Sequence, residues 1–210
     1  MSHADATDPH VISDLETLAA LYGTPSERAI TKELSHISPH YQALIEHAPF
    51  VVVASVGPEG MDCSPRGDGP GFVEVADANT VLMPDRRGNN RIDTLRNIIR
   101  DPRVALLFLI PGIGETLRIN GRAEITTDPV LLERFTIQNK LPRSVIRITA
   151  DRVYFQCSKA IARSKLWDHD AHVDRKQLPT AGQILGGIDG TFDAVDYDHK
   201  YPQHMRETMY

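Results

Sequence analysis

Residues 81–97, which read VLMPDRRGNNRIDTLRN, concentrate the side chains best suited to binding an anion. An apolar segment ends at Pro84, a glycine-containing turn follows, and a helix is then predicted with Ile92, Leu95 and Ile99 on one side. A turn that leads into a helix N-terminus offers unpaired main-chain N–H groups and the positive end of the helix dipole. Arginine adds planar, bidentate donors that match phosphate oxygens. The stretch therefore predicts a phosphate-binding turn.

The arginines of this stretch and of the helix that follows have two possible roles. They either bind the phosphate or form a solvated helix face whose surface ion pairs contribute little energy. Arg96 and Arg100 lie farther along the helix, so we interpret them as structural, paired with nearby aspartates or a partner subunit. Arg86 and Arg87 are adjacent on the turn, where one of two neighbouring side chains commonly points to solvent.

The composition indicates a small anionic ligand rather than a nucleic acid. The 210 residues suit one domain with extra terminal segments, and 41% hydrophobic with 24% charged residues is ordinary for a globular protein. The net charge of -5 argues against a phosphate-backbone footprint, which needs a basic surface. The arginine-rich turn is therefore a local basic site on an acidic protein, and no nucleic-acid partner is predicted.

Other residues that could do chemistry lack the neighbours that the chemistry needs. Cys63 and Cys157 do not make a secreted disulfide framework, and we interpret both as small buried residues rather than redox groups. His169 and His172 are three apart, but no further metal-ligand spacing accompanies them, so no metal is predicted. Dinucleotide and Walker fingerprints are absent from the sequence.

The sequence gives no sign of a membrane or a secretory route. Its first residues, MSHADATDPH, have no basic segment followed by an apolar one, so no signal peptide is visible. The longest apolar run, residues 104–110, is too short to cross a bilayer. We expect a cytoplasmic protein with no membrane partner.

Three helices are predicted before the first strand. The first has Ser13 and Glu16 in capping-box spacing and ends at Gly23. The second covers residues 26–34, and the third runs from Ser38-Pro39 to His47, because serine and proline there are typical of a helix start. Further helices are predicted at residues 92–100, 128–139 and 180–185.

From Phe50 the pattern changes to short β-branched and apolar segments joined by turns. Short turns imply antiparallel neighbours, so these strands favour a barrel or a sandwich over a doubly wound sheet. Gly121 predicts a bend or bulge within one strand. The predicted strands cover residues 50–56, 61–66, 72–76, 80–83, 103–110 and 116–127, with one or two more in residues 144–157.

This order of strands, turns and arginines resembles the pyridoxamine 5′-phosphate oxidase-like family of FMN-binding split β-barrels. The matching pieces are DCSPRGDG at 62–69, the segment at 81–112, TLRINGRAEITTD at 116–128 and CSKAIARSKLWD at 157–168. The resemblance implies a mainly β fold with flanking helices: a six-stranded antiparallel split barrel that forms a homodimer and holds FMN between subunits. We expect an N-terminal helical extension over residues 1–34, the barrel over 35–170, and a tail over 171–210 in the same domain.

The resemblance also implies which residues hold the cofactor. In this family a basic residue four positions before a helix leucine contacts the FMN phosphate, and Arg91 stands four before Leu95. An arginine that ends an earlier strand reaches the same phosphate, and Arg66 fits that place. Asp68 and Asp85 either bond the flavin or simply form turns, and Trp167 either contacts the ring or packs. The implied cofactor-binding set is Arg66, Gly67, Asp68, Met83, Pro84, Asp85, Arg86, Arg87, Asn89, Asn90, Arg91, Thr116, Arg118, Ser164, Lys165 and Trp167.

Two departures from the family pattern exclude pyridoxal phosphate synthesis as the expected activity. Residues 167–175, WDHDAHVDR, lack the Arg-x-His element of a true pyridoxamine phosphate oxidase, and GDGPG replaces the segment with its substrate-side lysine. The resemblance therefore implies an FMN-dependent oxidoreductase with an unassigned small-molecule substrate or electron donor. Two alternatives stay open: a flavin-binding or storage protein without turnover, and a split barrel that uses F420 or haem.

Overall fold

The computed structural model describes residue 8 and residues 10–210. The chain divides into two compact units, one that ends at Glu33 and one that spans Leu34–Tyr210. Residues 1–7 and 9 of the predicted N-terminal extension lie outside the described residues.

Two short helices make up the described part of the first unit. Helix α1 is Leu15–Tyr22, and the carboxylate of Asp14 accepts the main-chain N–H of Thr17. The predicted capping box on Ser13 is therefore wrong by one residue, because aspartate at the next position caps as well as serine does. Gly23 ends α1 with φ of 68°, as predicted, and α2 follows at Glu27–Thr31.

The second unit is built on one antiparallel sheet, flanked by helices. The sheet has seven strands, not the six that were expected, and the outer strands each have one neighbour, so the sheet is open. The residue pattern had predicted both strands of the β3–β4 hairpin, at 72–76 and 80–83, so the number six came from the family resemblance alone. In the order β2-β1-β5-β6-β7-β4-β3, the strands are β1 Phe50–Gly57, β2 Gly60–Gly67, β3 Glu74–Asp77, β4 Thr80–Asp85, β5 Arg103–Leu109, β6 Thr116–Thr126 and β7 Ser144–Gln156.

Strand β4 runs through Pro84, where the sequence predicted a break. Pro84 lies opposite Val145 of β7, whereas the pairing of β4 with β3 reaches only to Leu82. One side of β4 is thus an unpaired edge at the proline, and an edge is where a strand tolerates a residue without an N–H.

The bulge predicted in β6 is present where the sequence placed it. The pairing of β6 with β7 shifts register between Asn120 and Gly121. A Cβ atom at Gly121 would lie 2.1 Å from the main-chain oxygen of Thr149, so only glycine permits this approach of the two strands.

The two faces of the sheet differ in what covers them. On the inner face, alternate side chains of β1, β5 and β6 are buried, among them Val51, Leu106 and Leu117. Helices α3, Pro39–His47, and α4, Asp93–Arg100, pack against this core. On the outer face of the same strands the intervening side chains are only half-buried, and they are largely apolar: Val52, Ala54, Val56, Ala105, Leu107 and Leu109.

Helix α4 buries a different face from the one that its isoleucines predicted. Its buried residues are Thr94, Asn97 and Ile98, while Ile99 is 78% exposed. Polar bonds hold this face: Thr94 Oγ1 donates to a carboxylate of β2 at 2.7 Å, and Asn97 Nδ2 donates to a serine of β1 at 3.1 Å. Hydrophobic periodicity cannot detect a helix face that is anchored by hydrogen bonds.

The C-terminal part contains more helix than the sequence predicted. Helix α5, Pro129–Arg134, ends earlier than expected, and α6 is Lys159–Ser164. The predicted short helix is α7, Ala181–Ile188, but α8, Ala194–Thr208, was missed. It contains Pro202 and few apolar residues, so its sequence reads as a loop.

Within the described residues, no helix combines the length and the apolar character that crossing a membrane requires.

Candidate anion-binding site

A cavity of about 340 Å³ lies where β2, the turn after β4, the start of α4 and the start of β7 meet. Four arginines point to it, and three aspartates and several small polar side chains complete its wall. The lining residues are Asp62, Ser64, Arg66, Asp85, Arg86, Gly88, Asn89, Asn90, Arg91, Ile92, Asp93, Thr94, Leu95, Arg143 and Ser144. The residues of the predicted phosphate-binding turn and Arg66 are therefore brought together.

Strand β2 supplies the deepest arginine. Arg66 lies opposite Val51 in the β1–β2 pair, and Ser64 lies opposite Val53, so both side chains share the inner face. The Arg66 side chain is 26% exposed, and its Nη2 lies 3.7 Å from Asp85 Oδ1. Its buried Nε has no hydrogen-bond partner among the described residues. A buried donor without a partner is costly, and here it borders a cavity that can admit an acceptor.

The carboxyl group of Asp85 has a pKa that is raised rather than lowered, although two arginines lie near it. Burial raises its pKa above the ordinary value of 3.8, and the positive charges of Arg66 and Arg143 oppose this rise without cancelling it. Loss of hydration therefore outweighs the attraction of the two guanidinium groups. This carboxyl group therefore keeps its proton to a higher pH than a solvated aspartate does.

The turn after β4 holds its residues in unusual backbone conformations. Asn90 has φ of 60° and Ile92 has φ of 54°, which is rare for a β-branched residue. Ile92 directly precedes α4 and gives the helix no side-chain cap, so the first N–H groups of α4 stay available at the cavity. Strained backbone at a helix start is typical of functional sites.

Arg91, the arginine that the sequence favoured most, lies at the rim of the cavity. Its side chain is 75% exposed, and its Nε donates to Asp93 Oδ2 at 2.7 Å. Asn89 Oδ1 accepts the main-chain N–H of Arg91 and so supports the turn. Arg91 can swing toward an anion only by leaving or sharing Asp93, whereas Arg66 already lies inside.

Arg143 is a cavity residue that the sequence reasoning missed. Its Nη1 donates to Asn90 Oδ1 at 2.8 Å, and its main-chain N–H donates to the oxygen of Asp85 at 3.3 Å. It precedes β7, which pairs with β4, and that pairing could not be read from the sequence. Asp62 and Ser64 were also missed, although they alternate with Arg66 along one strand, a signal that was visible.

Arg86 and Arg87 border a second cavity beside the first. Arg86 Nε donates to Asp68 Oδ2 at 2.9 Å and Nη1 donates to the main-chain oxygen of Phe135 at 2.6 Å. The second cavity has a volume of about 250 Å³ and shares Arg86 and Arg143 with the first. Its lining residues are Arg86, Arg87, Lys140, Leu141, Pro142, Arg143 and Tyr210.

The remaining predicted residues do not line the first cavity in this single chain. Gly67, Met83 and Pro84 lie at or near the strand ends, and Met83 is fully buried in the core. Arg118 Nη1 donates to the hydroxyl of Tyr154 at 3.0 Å, on the outer face of the sheet where Thr116 also lies. Among the C-terminal candidates, Ser164 Oγ donates locally to Ile161 O, Trp167 Nε1 donates to the distant Ile113 O, and Lys165 has φ of 53°.

The arginines of helix α4 partly follow their predicted structural role. Arg100 Nη1 pairs with Glu59 at 2.8 Å, in the turn between β1 and β2. The two aspartates that flank α4 pair with other arginines: Asp93 with Arg91, and Asp101 with Arg103. Asp101 has its pKa lowered to about 2 because Arg103 hydrogen-bonds its carboxylate.

The thiols are placed differently from what the sequence suggested. Cys63 and Cys157 are both free and exposed, so the prediction of buried residues is wrong. Cys63 lies on the outer face of the edge strand β2, opposite Ala54, where no core covers it. In the described part of the chain, no group of three histidine, cysteine or acidic side chains is arranged to hold a metal ion.

The fold and the cavity define an antiparallel β protein with an arginine-lined cavity beside the start of α4. A family model described as pyridoxamine 5′-phosphate oxidase matches residues 37–157, which is more than half of the chain. The chain therefore belongs to the pyridoxamine 5′-phosphate oxidase family, and the predicted family resemblance is confirmed. No curated protein matches the chain significantly.

Solved structures with a related fold include proteins with different names. HupZ of Group A Streptococcus is 21% identical with a TM-score of 0.48, over 58% of this chain and 95% of that one. General stress protein 26 of Bacillus anthracis is 17% identical with a TM-score of 0.39, over 54% and 88%. A protein named F420 reductase is 20% identical with a TM-score of 0.40, over 57% and 98%.

Proposed function

We propose that this protein binds FMN at a homodimer interface, with the FMN phosphate in the arginine-lined cavity, and acts as an FMN-dependent oxidoreductase. The observation that carries the proposal is Arg66, whose buried Nε lacks a partner at the wall of that cavity. A phosphate oxygen is an acceptor that would satisfy this donor, and family membership makes a flavin the natural source of the phosphate.

The cavity residues fit a phosphate group in both charge and donor type. Arg66 and Arg143 would supply guanidinium donors from two strands, and the first turn of α4 would supply main-chain N–H groups. Arg91 would close the rim from the turn.

The outer face of the sheet supports a homodimer. Side chains of β1 and β5 there are apolar and only half-buried, with Val52 opposite Leu107 and Ala54 opposite Ala105. An apolar sheet face of this kind is typical of an interaction surface. A second copy on this face would cover Arg118 and its neighbours, and the flavin ring would then lie between the subunits.

Bound FMN would supply hydride chemistry at its N5 atom. The chain's own side chains would bind the phosphate, orient the ring and exclude water from it. The second candidate is a flavin carrier without turnover, which would use the same phosphate cavity.

The visible spectrum of the purified protein tests the cofactor. We expect flavin absorption, or tight binding of added FMN with quenched fluorescence and a raised Tm, and mass analysis of the released chromophore identifies it. A haem or F420 spectrum would replace FMN with that cofactor. A colourless protein whose Tm and flavin signal do not respond to FMN would refute the proposal.

Steady-state oxidation of NADH and NADPH by the FMN-loaded protein separates the two candidates. Turnover with a defined acceptor supports the oxidoreductase. Failure with a broad panel of electron donors, in protein that is fully loaded with FMN, supports the carrier.

A further inference from the structure

Tyr210 reaches the border of the proposed phosphate cavity from the far end of the chain. It follows helix α8, and its hydroxyl donates to Asp68 Oδ1 at 2.8 Å. Its ring lies under the guanidinium of Arg86, with Arg86 Cζ 5.7 Å from the ring centroid. Lys140 Nζ donates to the main-chain oxygen of Tyr210 at 2.7 Å. Three separate contacts therefore hold this one residue in place.

Asp68 links Tyr210 to Arg86, because its carboxylate accepts a hydrogen bond from each of them. Its side chain is only 4% exposed, and its two oxygens are both used. Oδ2 accepts from Arg86 Nε, while Oδ1 accepts from Tyr210 and from the main-chain N–H of Gly69. The Tyr210 hydroxyl therefore helps to fix the carboxylate that orients the guanidinium.

Arg86 has one nitrogen left for a ligand. Its Nε and Nη1 are bonded to Asp68 and Phe135, and within the described residues no bond is found for Nη2. Arg86 lines both the phosphate cavity and the second cavity, of which Tyr210 is a wall. The orientation of Arg86 thus decides whether Nη2 faces an anion in the phosphate cavity.

The contact belongs to a segment outside the part of the chain that defines the family. The family model matches residues 37–157, whereas Tyr210 lies more than fifty residues beyond. Loss of the contact should therefore leave the family fold in place and change only the site that it borders.

We propose that Tyr210 is a positioning residue of the cofactor site, which holds Arg86 through Asp68 so that Arg86 can bind the phosphate. The inference rests on the proposed function, namely that this cavity takes the FMN phosphate. Docking of the tail and binding of the phosphate are then coupled, and by linkage each strengthens the other by the same factor.

Replacing the hydroxyl alone gives the most direct test. Tyr210→Phe keeps the ring but removes the bond to Asp68, so we expect FMN affinity to fall about fivefold, the size of effect expected for loss of one ordinary hydrogen bond. Riboflavin, which lacks the phosphate, should bind with unchanged affinity. A purely structural role would weaken both ligands alike, and that outcome would overturn the inference. Tyr201→Phe, in helix α8 just before Tyr210 and at a tyrosine stacked on Tyr197, serves as the matched control and should change neither affinity.

A double-mutant cycle tests whether Tyr210 acts through Arg86. In an Arg86→Gln background, Tyr210→Phe should cause no further loss of FMN affinity, because the residue that it positions is gone. If the second substitution still costs the full fivefold, Tyr210 does not act through Arg86 and the inference is wrong.

Inorganic phosphate keeps the test independent of the flavin. If the wild type binds no flavin, the proposed function fails, and hydrogen exchange of residues 194–210 then decides the inference. Saturating phosphate should slow exchange near Tyr210 in the wild type and have little effect in Tyr210→Phe. Equal exchange with and without phosphate in the wild type would overturn the coupling.

Discussion

The two ends of the proposed flavin site lie on opposite faces of the same sheet. The phosphate end, around Arg66, opens on the inner face, where Arg66 lies opposite the buried Val51. The ring-end candidates Thr116 and Arg118 are on the outer face, level with Leu107 and Tyr154. Side chains on opposite faces of one sheet point away from each other, so they cannot both contact the same part of one ligand. One chain therefore builds the phosphate end alone, and a second copy is the simplest way to bring a ring end to it.

The two ends also differ in whether their side-chain donors have hydrogen-bond partners within the chain. In the described part of the chain, the buried Nε of Arg66 has no partner, which leaves the phosphate end incomplete without a ligand. At the ring end, Arg118 is bonded to Tyr154 and Trp167 to the main chain of Ile113. The phosphate end is thus preformed for an anion, whereas the ring end is stable as it is and should contribute less binding energy.

The largest effect is expected from disrupting the outer face. Leu107→Lys places an ammonium group in the centre of the proposed dimer surface, where an unpaired charge costs several kcal/mol. We expect the dimer dissociation constant to rise about 100-fold or more, measured by sedimentation or light scattering. FMN should then bind weakly, but inorganic phosphate should bind as in the wild type, since its cavity lies within one chain.

Val130→Lys is the matched control, because it puts the same charge on an apolar residue of α5 that is 68% exposed. It should leave the oligomer unchanged. A wild-type protein that is monomeric at high concentration with FMN bound would show that the ring end does not need a second copy.

The next effect concerns the phosphate end itself. Arg66→Gln removes the guanidinium while keeping much of the side-chain length, and we expect FMN affinity to fall 30- to 100-fold, about 2–3 kcal/mol. Riboflavin affinity should change little, because riboflavin has no phosphate. Isothermal titration with both flavins measures the ratio.

Arg122→Gln, in an exposed arginine of β6, is the control and should bind both flavins normally. Equal losses for FMN and riboflavin in Arg66→Gln would place Arg66 at the ring rather than at the phosphate, and would reverse the assignment of the two ends.

A smaller effect is expected at the ring end. Arg118→Gln removes a charge on the outer face, and we expect the affinity of FMN and riboflavin to fall equally, by about tenfold, since one hydrogen bond to a charged group is lost. Tyr154→Phe removes the partner hydroxyl and keeps the charge, so it should weaken both flavins less. A loss that is confined to FMN would mean that Arg118 binds the phosphate from the partner subunit.

The sequence predicted local features well where one residue type dictates the geometry. The Ser38-Pro39 helix start, the bulge at Gly121 and the short turn between the strands predicted at 50–56 and 61–66 are all present. Each depends on neighbours in the chain, so a single sequence suffices. The family pattern added Arg66 to the turn around Arg91, a long-range association that local propensities could not provide.

The features that the sequence failed to predict depend instead on contacts between residues far apart in the chain. Arg143 joins the cavity because β7 pairs with β4, and the buried face of α4 is chosen by polar partners on β1 and β2. Tyr210 contacts Asp68 across 142 positions of sequence. Hydrophobic periodicity does not predict such long-range contacts. The sequence therefore predicted the fold class and the turn residues of the cavity, but not all of the residues that line it.

The smallest effect concerns Asp85, which stands between the two cavity arginines. Since burial raises its pKa, its native state holds a proton over a range above 3.8 in which an unfolded aspartate is ionised. The folded protein thus loses stability as pH rises through that range. Asp85→Asn removes this loss, so the variant should have a higher Tm than the wild type at neutral pH.

The same substitution should strengthen FMN binding. Ionised Asp85 attracts Arg66 and repels the phosphate, so we expect Asp85→Asn to raise FMN affinity about threefold at pH 7.5, a typical effect of one partly screened charge. The wild type should approach the variant as pH falls toward the raised pKa of Asp85, because its carboxyl group becomes neutral. The phosphate's own titration is the same for both proteins and cancels in the ratio of their dissociation constants. Asp151→Asn, at an exposed aspartate that is paired with Arg122, controls for net charge. A ratio that does not vary with pH would mean that Asp85 is already neutral when FMN binds, and the phosphate end would then carry more positive charge than its residues suggest.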